Sequence, residues 1–159
     1  MNIFESLETT FIANWLIDSL YGYPVMLVLH GIGMSIVIGI LFMFNLRLMG
    51  LFNNIELGAF KSLLKLAWAG FLINFISGCI LFVQKATSFV QNWAFLVKIA
   101  GVVIATVMAI IAHKTLYQQA DKWNSENAIA LSAKILAFVS IGLWSVVIIT
   151  GRLVGYLEQ

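Results

Sequence analysis

A chain of 159 residues that is 62% apolar and only 10% charged has too little polar surface to cover a water-soluble body, where about 25% charge is usual. Its mean hydropathy of +0.99 makes the bilayer the solvent. The net charge of +2 is spread out with no basic run, which argues against a nucleic-acid partner. The single cysteine, Cys79, excludes an intrachain disulfide and any cysteine-pair metal or haem-attachment motif, and reads as packing.

The N-terminus has no basic n-region and no small-residue cleavage site, so no signal peptide is expected to be removed. Over residues 2–20, Ile3, Phe4, Leu7, Phe11, Trp15 and Leu16 recur at helical spacing, with Glu5, Glu8 and Asp18 off that stripe. This pattern predicts an amphipathic helix lying in the membrane interface. Tyr21-Gly22-Tyr23-Pro24 then turns the chain. Pro24 suits the first turn of a helix, and the tyrosines suit the headgroup region.

Four apolar runs follow, at about 23–48, 64–83, 93–116 and 135–157, each near the roughly 20 residues a bilayer requires. All four should be helices, because backbone polar groups in lipid must be satisfied within the segment. The expected fold is all-α: a polytopic four-helix transmembrane bundle with the interfacial helix attached, one domain over residues 1–159. Arg47, Lys61, Lys65, Lys114, Lys122 and Lys134 fall on one side, and Lys85, Lys98 and Arg152 on the other. That bias predicts periplasmic termini in a bacterial inner (plasma) membrane.

Small residues repeat every fourth position at Gly31/Ser35/Gly39, Gly70/Asn74/Gly78 and Gly101/Ala105/Ala109. Such stripes let helix backbones approach closely in lipid, within a subunit or between copies. A chain this small is expected to form a homo-oligomer, a dimer or trimer. A flat wall against a planar ligand is the alternative use of each stripe. Trp144, mid-span, reads as packing.

The chain has two histidines, both inside apolar runs. Ionisable groups at membrane depth are costly and mark function by default, and imidazole is a common ligand for haem iron and transition metals. The helical rise puts His30, Lys98 and Arg152 in one layer about 8–10 Å inside one membrane edge. It puts His113 about 30 Å from that edge, in a second layer with Arg47. Two imidazoles separated by about 20 Å cannot ligate one iron. In the first layer His30 could ligate a b-type haem while Lys98 and Arg152 pair with its propionates. Snorkelling of the two cations to the interface is the competing arrangement. Met26, His30 and Met34 share a stripe whose thioether and imidazole donors also suit Cu(I), and His113 is a further candidate ligand.

Tyr23-Pro24, His30 and Asn45-Leu46-Arg47-Leu48-Met49-Gly50 resemble the first helix of a bacterial four-helix membrane family of unknown function. Asn92-Trp93-Ala94-Phe95 with Lys98 and His113 resembles its third helix, and Leu143-Trp144 with Gly151-Arg152-Leu153 and Tyr156 its last. Asn45 departs from the pattern, standing where an acid is expected beside Arg47. More distantly, the plan is similar to the HemJ-type protoporphyrinogen oxidases, through His30 with Arg47 and Lys98 after Trp93, and to the CopD-type copper-resistance membrane proteins. The resemblance implies b-type haem. The expected function is one-electron redox chemistry or electron transfer by a haem-binding membrane protein with a redox partner, and copper as a second candidate metal. The alternatives are a HemJ-like porphyrinogen oxidase, a cofactor-free metal or proton transporter using Asn74 and Thr106 across the midplane, and a structural membrane subunit.

Overall fold

A computed structural model describes residues 2–126 and 129–157; the side chain of Lys122, one of the basic residues counted above, lies outside the described part. Among the described residues seven helices follow one another: α1 (Ile3–Glu8), α2 (Phe11–Asp18), α3 (Gly22–Leu48), α4 (Phe60–Val83), α5 (Ala86–Gln91), α6 (Trp93–Glu126) and α7 (Leu131–Leu157), with a 3-10 turn at Leu57–Ala59 before α4. There is no strand among the described residues. Four helices are long and apolar enough to cross a membrane, and the chain is an all-α, polytopic membrane protein. The spans begin and end close to the expected positions. α4 and α7 each start about one turn earlier, and α6 runs on to Glu126, well past the apolar run.

Each boundary has a local cause. The N-terminal segment forms two helices where the stripe predicts one. Thr10 Oγ1 accepts from the Ala13 N–H (3.4 Å) and donates to the Leu7 carbonyl (2.7 Å), while Thr9 Oγ1 donates to the Ser6 carbonyl (3.0 Å). Threonines that bond their own backbone favour a cap over continuation. The stripe also divides: Leu16 is buried, together with Ala13 from outside the stripe, while Phe11 and Trp15 stay exposed. α3 is entered through Ser19, whose Oγ accepts from the N–H of Tyr21 (3.3 Å) and Gly22 (3.1 Å). It ends in a Schellman turn. Gly50 at φ +100° lets Leu51 N reach the Leu46 carbonyl (3.0 Å) and Gly50 N reach the Arg47 carbonyl (3.2 Å).

The spans associate as antiparallel pairs, α3 with α4 and α6 with α7, joined mainly through α3 and α7. Their closest approach is α3 on α4. A Cβ added at Gly33 would lie 2.7 Å from both Asn74 N and the Gly70 carbonyl oxygen, and one at Gly70 would lie 2.7 Å from Ile36. The stripe Gly70/Asn74/Gly78 therefore meets α3, as its spacing predicts. On α3 the contact runs through Gly33, and Gly31 and Gly39 face open space. The third stripe meets α7, with Val147 2.8 Å from a Cβ added at Gly101 and Ala105 fully buried.

The packed apolar core occupies the half of the bundle around the C-terminal end of α3, here the Arg47 end. Val37, Leu41, Phe44, Leu57, Phe60, Leu64, Trp144 and Val147 fill it. In that half Asn45, 3% exposed, donates to Ser140 Oγ (3.0 Å) and ties α3 to α7. Lys61, Lys65, Lys114 and Lys134 also fall at this end. At the other end, called the His30 end, α1 and α2 pack on α3, α4 and α5. Tyr21, Tyr23, Trp93 and Tyr156 are exposed there, as aromatic side chains at a membrane–water boundary are.

Gly33→Ala is expected to destabilise the protein by about 1–3 kcal/mol, the usual cost of overpacking, because the new methyl meets backbone that cannot swing aside. Gly31→Ala should leave stability unchanged. Thermal melts of the purified variants in one detergent compare the two.

Candidate functional site

At the His30 end the four spans splay around a cavity of about 380 Å³. α3 contributes Tyr23, Leu27 and His30, spaced four and three apart so that they share one face. α4 contributes Gly78, Leu81 and Phe82; α6 contributes Phe95 and Lys98; α7 contributes Gly151, Arg152, Val154 and Gly155. Gln84, Lys85 and Phe89 close the wall between α4 and α6.

The imidazole is fixed from its back. His30 Nδ1 lies 3.0 Å from the Asn74 backbone carbonyl and 3.2 Å from Ser77 Oγ. A carbonyl only accepts, so Nδ1 carries the proton and donates, and Nε2 of the neutral ring keeps its lone pair. Asn74 returns the contact, its side-chain Nδ2 donating to the His30 carbonyl at 2.8 Å. Ser77 is itself held by its bonds to the Ile73 (2.7 Å) and Asn74 (3.1 Å) carbonyls. Gly78 supplies the space: a Cβ there would stand 3.1 Å from His30 Cε1. His30 Nε2 makes no hydrogen bond to a described residue.

Across the cavity, Lys98 runs along the bare backbone of α7 at Gly151, where an added Cβ would sit 3.5 Å from its Cδ and Cε and 3.7 Å from Nζ. Arg152 is the next residue on that helix and lines the same cavity. Among the described residues no carboxylate lines the cavity beside them. The aromatic wall consists of Phe82, Phe89 and Phe95, whose near-parallel rings have centroids 5.2–6.1 Å apart. Phe89 is brought to the wall by α5. The first turn of α5 is held from the N-terminus, the Glu8 carboxylate accepting from the Thr87 N–H at 2.8 Å.

His30, Lys98 and Arg152, placed in one layer by sequence depth, thus share one cavity. Arg47 and His113 lie elsewhere. Arg47 is 4% exposed and donates from Nε to the Ile55 carbonyl (2.6 Å) and from Nη1 to Asn53 Oδ1 (3.2 Å), pinning the loop after α3. His113 lines a separate, small cavity with Thr106 and Trp144. Met26 and Met34, one helical turn to either side of His30, are half-buried and do not line the His30 cavity. Among the described residues no three histidine, cysteine, aspartate or glutamate side chains cluster. The sequence reading missed Ser77, Lys85 and the phenylalanine wall as parts of the site. Gly78 lies on a small-residue stripe whose alternative use is a wall against a ligand, whereas the others carry no spacing signal that names His30.

No family model, no curated protein and no solved structure matches the chain.

Asn74→Leu removes the clasp's side-chain donor and leaves the His30 carbonyl without it. The expected loss is about 0.6–1.7 kcal/mol, the range for interhelical hydrogen bonds in membranes, read as a lowered unfolding midpoint in detergent.

Proposed function

We propose that this chain is a b-type haem-binding membrane protein that works in one-electron redox chemistry or electron transfer. The observation that carries the reading is the orientation of one ring. His30 donates from Nδ1 to a backbone carbonyl, the usual second bond of a metal-ligating histidine, which fixes the tautomer and leaves the other nitrogen for the metal. The cavity's remaining walls support the same ligand. An apolar and aromatic lining with three cations, Lys85, Lys98 and Arg152, suits a planar macrocycle whose edge carries carboxylates, and Lys98 and Arg152 would hold those carboxylates. Gly78, Gly151 and Gly155 leave the lateral space that larger side chains would fill.

The residues present fit the group. His30 Nε2 would be the axial donor, and the chain would set its basicity through the Asn74 carbonyl. When bound, haem supplies the electron-transfer chemistry, while the protein supplies ligand, dielectric and access. Lys98 and Arg152 would gain the anionic partners that intramembrane cations need. The reading places the protein in a bacterial inner membrane with periplasmic termini, since the lysines gather at the Arg47 end. The expected homo-oligomer would use a face that one subunit leaves open, and α3 presents Gly31 and Gly39 on such a face.

The purified protein, or the protein supplied with haemin, should show a Soret band and sharp reduced α and β bands. His30→Ala should abolish them. Lys98→Ala and Arg152→Ala should each weaken haemin binding about 10- to 150-fold, the effect of losing a hydrogen bond to a charged group. His113→Ala should leave the spectrum intact. A folded preparation that stays colourless after haemin is added would overturn the proposal. Copper found in that preparation by metal analysis would point to the thioether and imidazole donors.

A further inference from the structure

We infer that the middle of the bundle holds a site for one ordered water molecule, bridging the Trp144 indole N–H and the Thr106 hydroxyl. Trp144 is 5% exposed, and its Nε1 has no hydrogen-bond partner among the described residues. A buried N–H without an acceptor is costly, and lipid offers none. Trp144 lines a small, partly open cavity of about 20 Å³ between α3, α4, α6 and α7. One water needs about 10–15 Å³ on that measure, so the space is large enough for a single water.

The lining supplies complementary groups. Thr106 Oγ1 spends its hydrogen on the Val102 carbonyl at 2.7 Å, so it presents lone pairs to the cavity. The indole presents only a hydrogen. A water accepting from Trp144 and donating to Thr106 satisfies both. Ala109 keeps the space open, and His113 continues the same face of α6 as the cavity wall towards the Arg47 end. His113 is thereby assigned to the neighbourhood of a bound water, and the assignment is independent of any ligand at His30.

The test uses the full chain purified in detergent. Ultraviolet resonance Raman, taken as the wild-type minus Trp144→Phe difference because the chain has five tryptophans, reports whether this indole N–H is hydrogen-bonded. The expected result is a bonded indole in the wild type that shifts towards the unbonded position in Thr106→Val and stays bonded in Thr106→Ser. An unbonded indole in the wild type means a dry cavity and overturns the inference. A bonded indole that Thr106→Val leaves unchanged overturns it too, since another acceptor must then be at work. Should Thr106→Val not fold, water-edited solid-state NMR of the wild type decides. Magnetisation passing from water to the Trp144 indole nitrogen supports the site, and its absence refutes it.

Discussion

The arrangement of this protein depends on how α3 lies against α4. Apolar side chains gain little by leaving lipid for one another, so helix association in a bilayer rests on close packing and interhelical hydrogen bonds. The α3–α4 contact has both. Gly33 and Gly70 bring the two backbones within the space a methyl group would fill. One turn away, His30 donates to the Asn74 carbonyl while the Asn74 amide donates to the His30 carbonyl. A slip of one residue along either helix would break both hydrogen bonds and drive a side chain into the facing backbone. Register is therefore fixed at the point where the imidazole is fixed.

That single contact links stability to the site. The ring is held by Nδ1 because its helix is held, and Nε2 is available because Nδ1 is engaged. Gly78, on the same face of α4 as Gly70 and Asn74, serves both purposes: it continues the close-packing stripe and leaves the room beside Cε1 that a larger residue would take. The small-residue stripe of α4 is at once a packing surface and one wall of the cavity.

The bundle is unequal along its length. The half around Arg47 is filled by large side chains, with Phe44 and Phe60 packed at 5.5 Å between ring centroids, and its buried Arg47 and Asn45 are bonded internally. Arg47 fastens the loop, and Asn45 bonds Ser140. Asn45 stands where an acid was expected beside Arg47, and the structure gives the arginine carbonyl and amide oxygens instead. The half around His30 is open. There, small residues and cations face a cavity, and the N-terminal segment reaches across the chain to hold α5 and, through it, Phe89.

The four spans, their helical character and the common depth of His30, Lys98 and Arg152 were legible in the sequence. Hydropathy and the fixed rise per residue are local properties that need no knowledge of neighbours. Composition likewise determined the solvent. What only the tertiary structure decided was rotation: which face of each helix meets which other helix. α3 is apolar nearly all round, so Gly31 and Gly33 looked equally suited to contact until packing chose Gly33. Rotation also turned the Arg47 side chain onto the loop after α3, put His113 in one cavity with Trp144, and set His30 Nδ1 on a carbonyl 44 residues away. In a lipid solvent no hydrophobic contrast marks the inward face of a helix. The shape of the packed backbones and a few polar partners set it, and neither can be read one segment at a time.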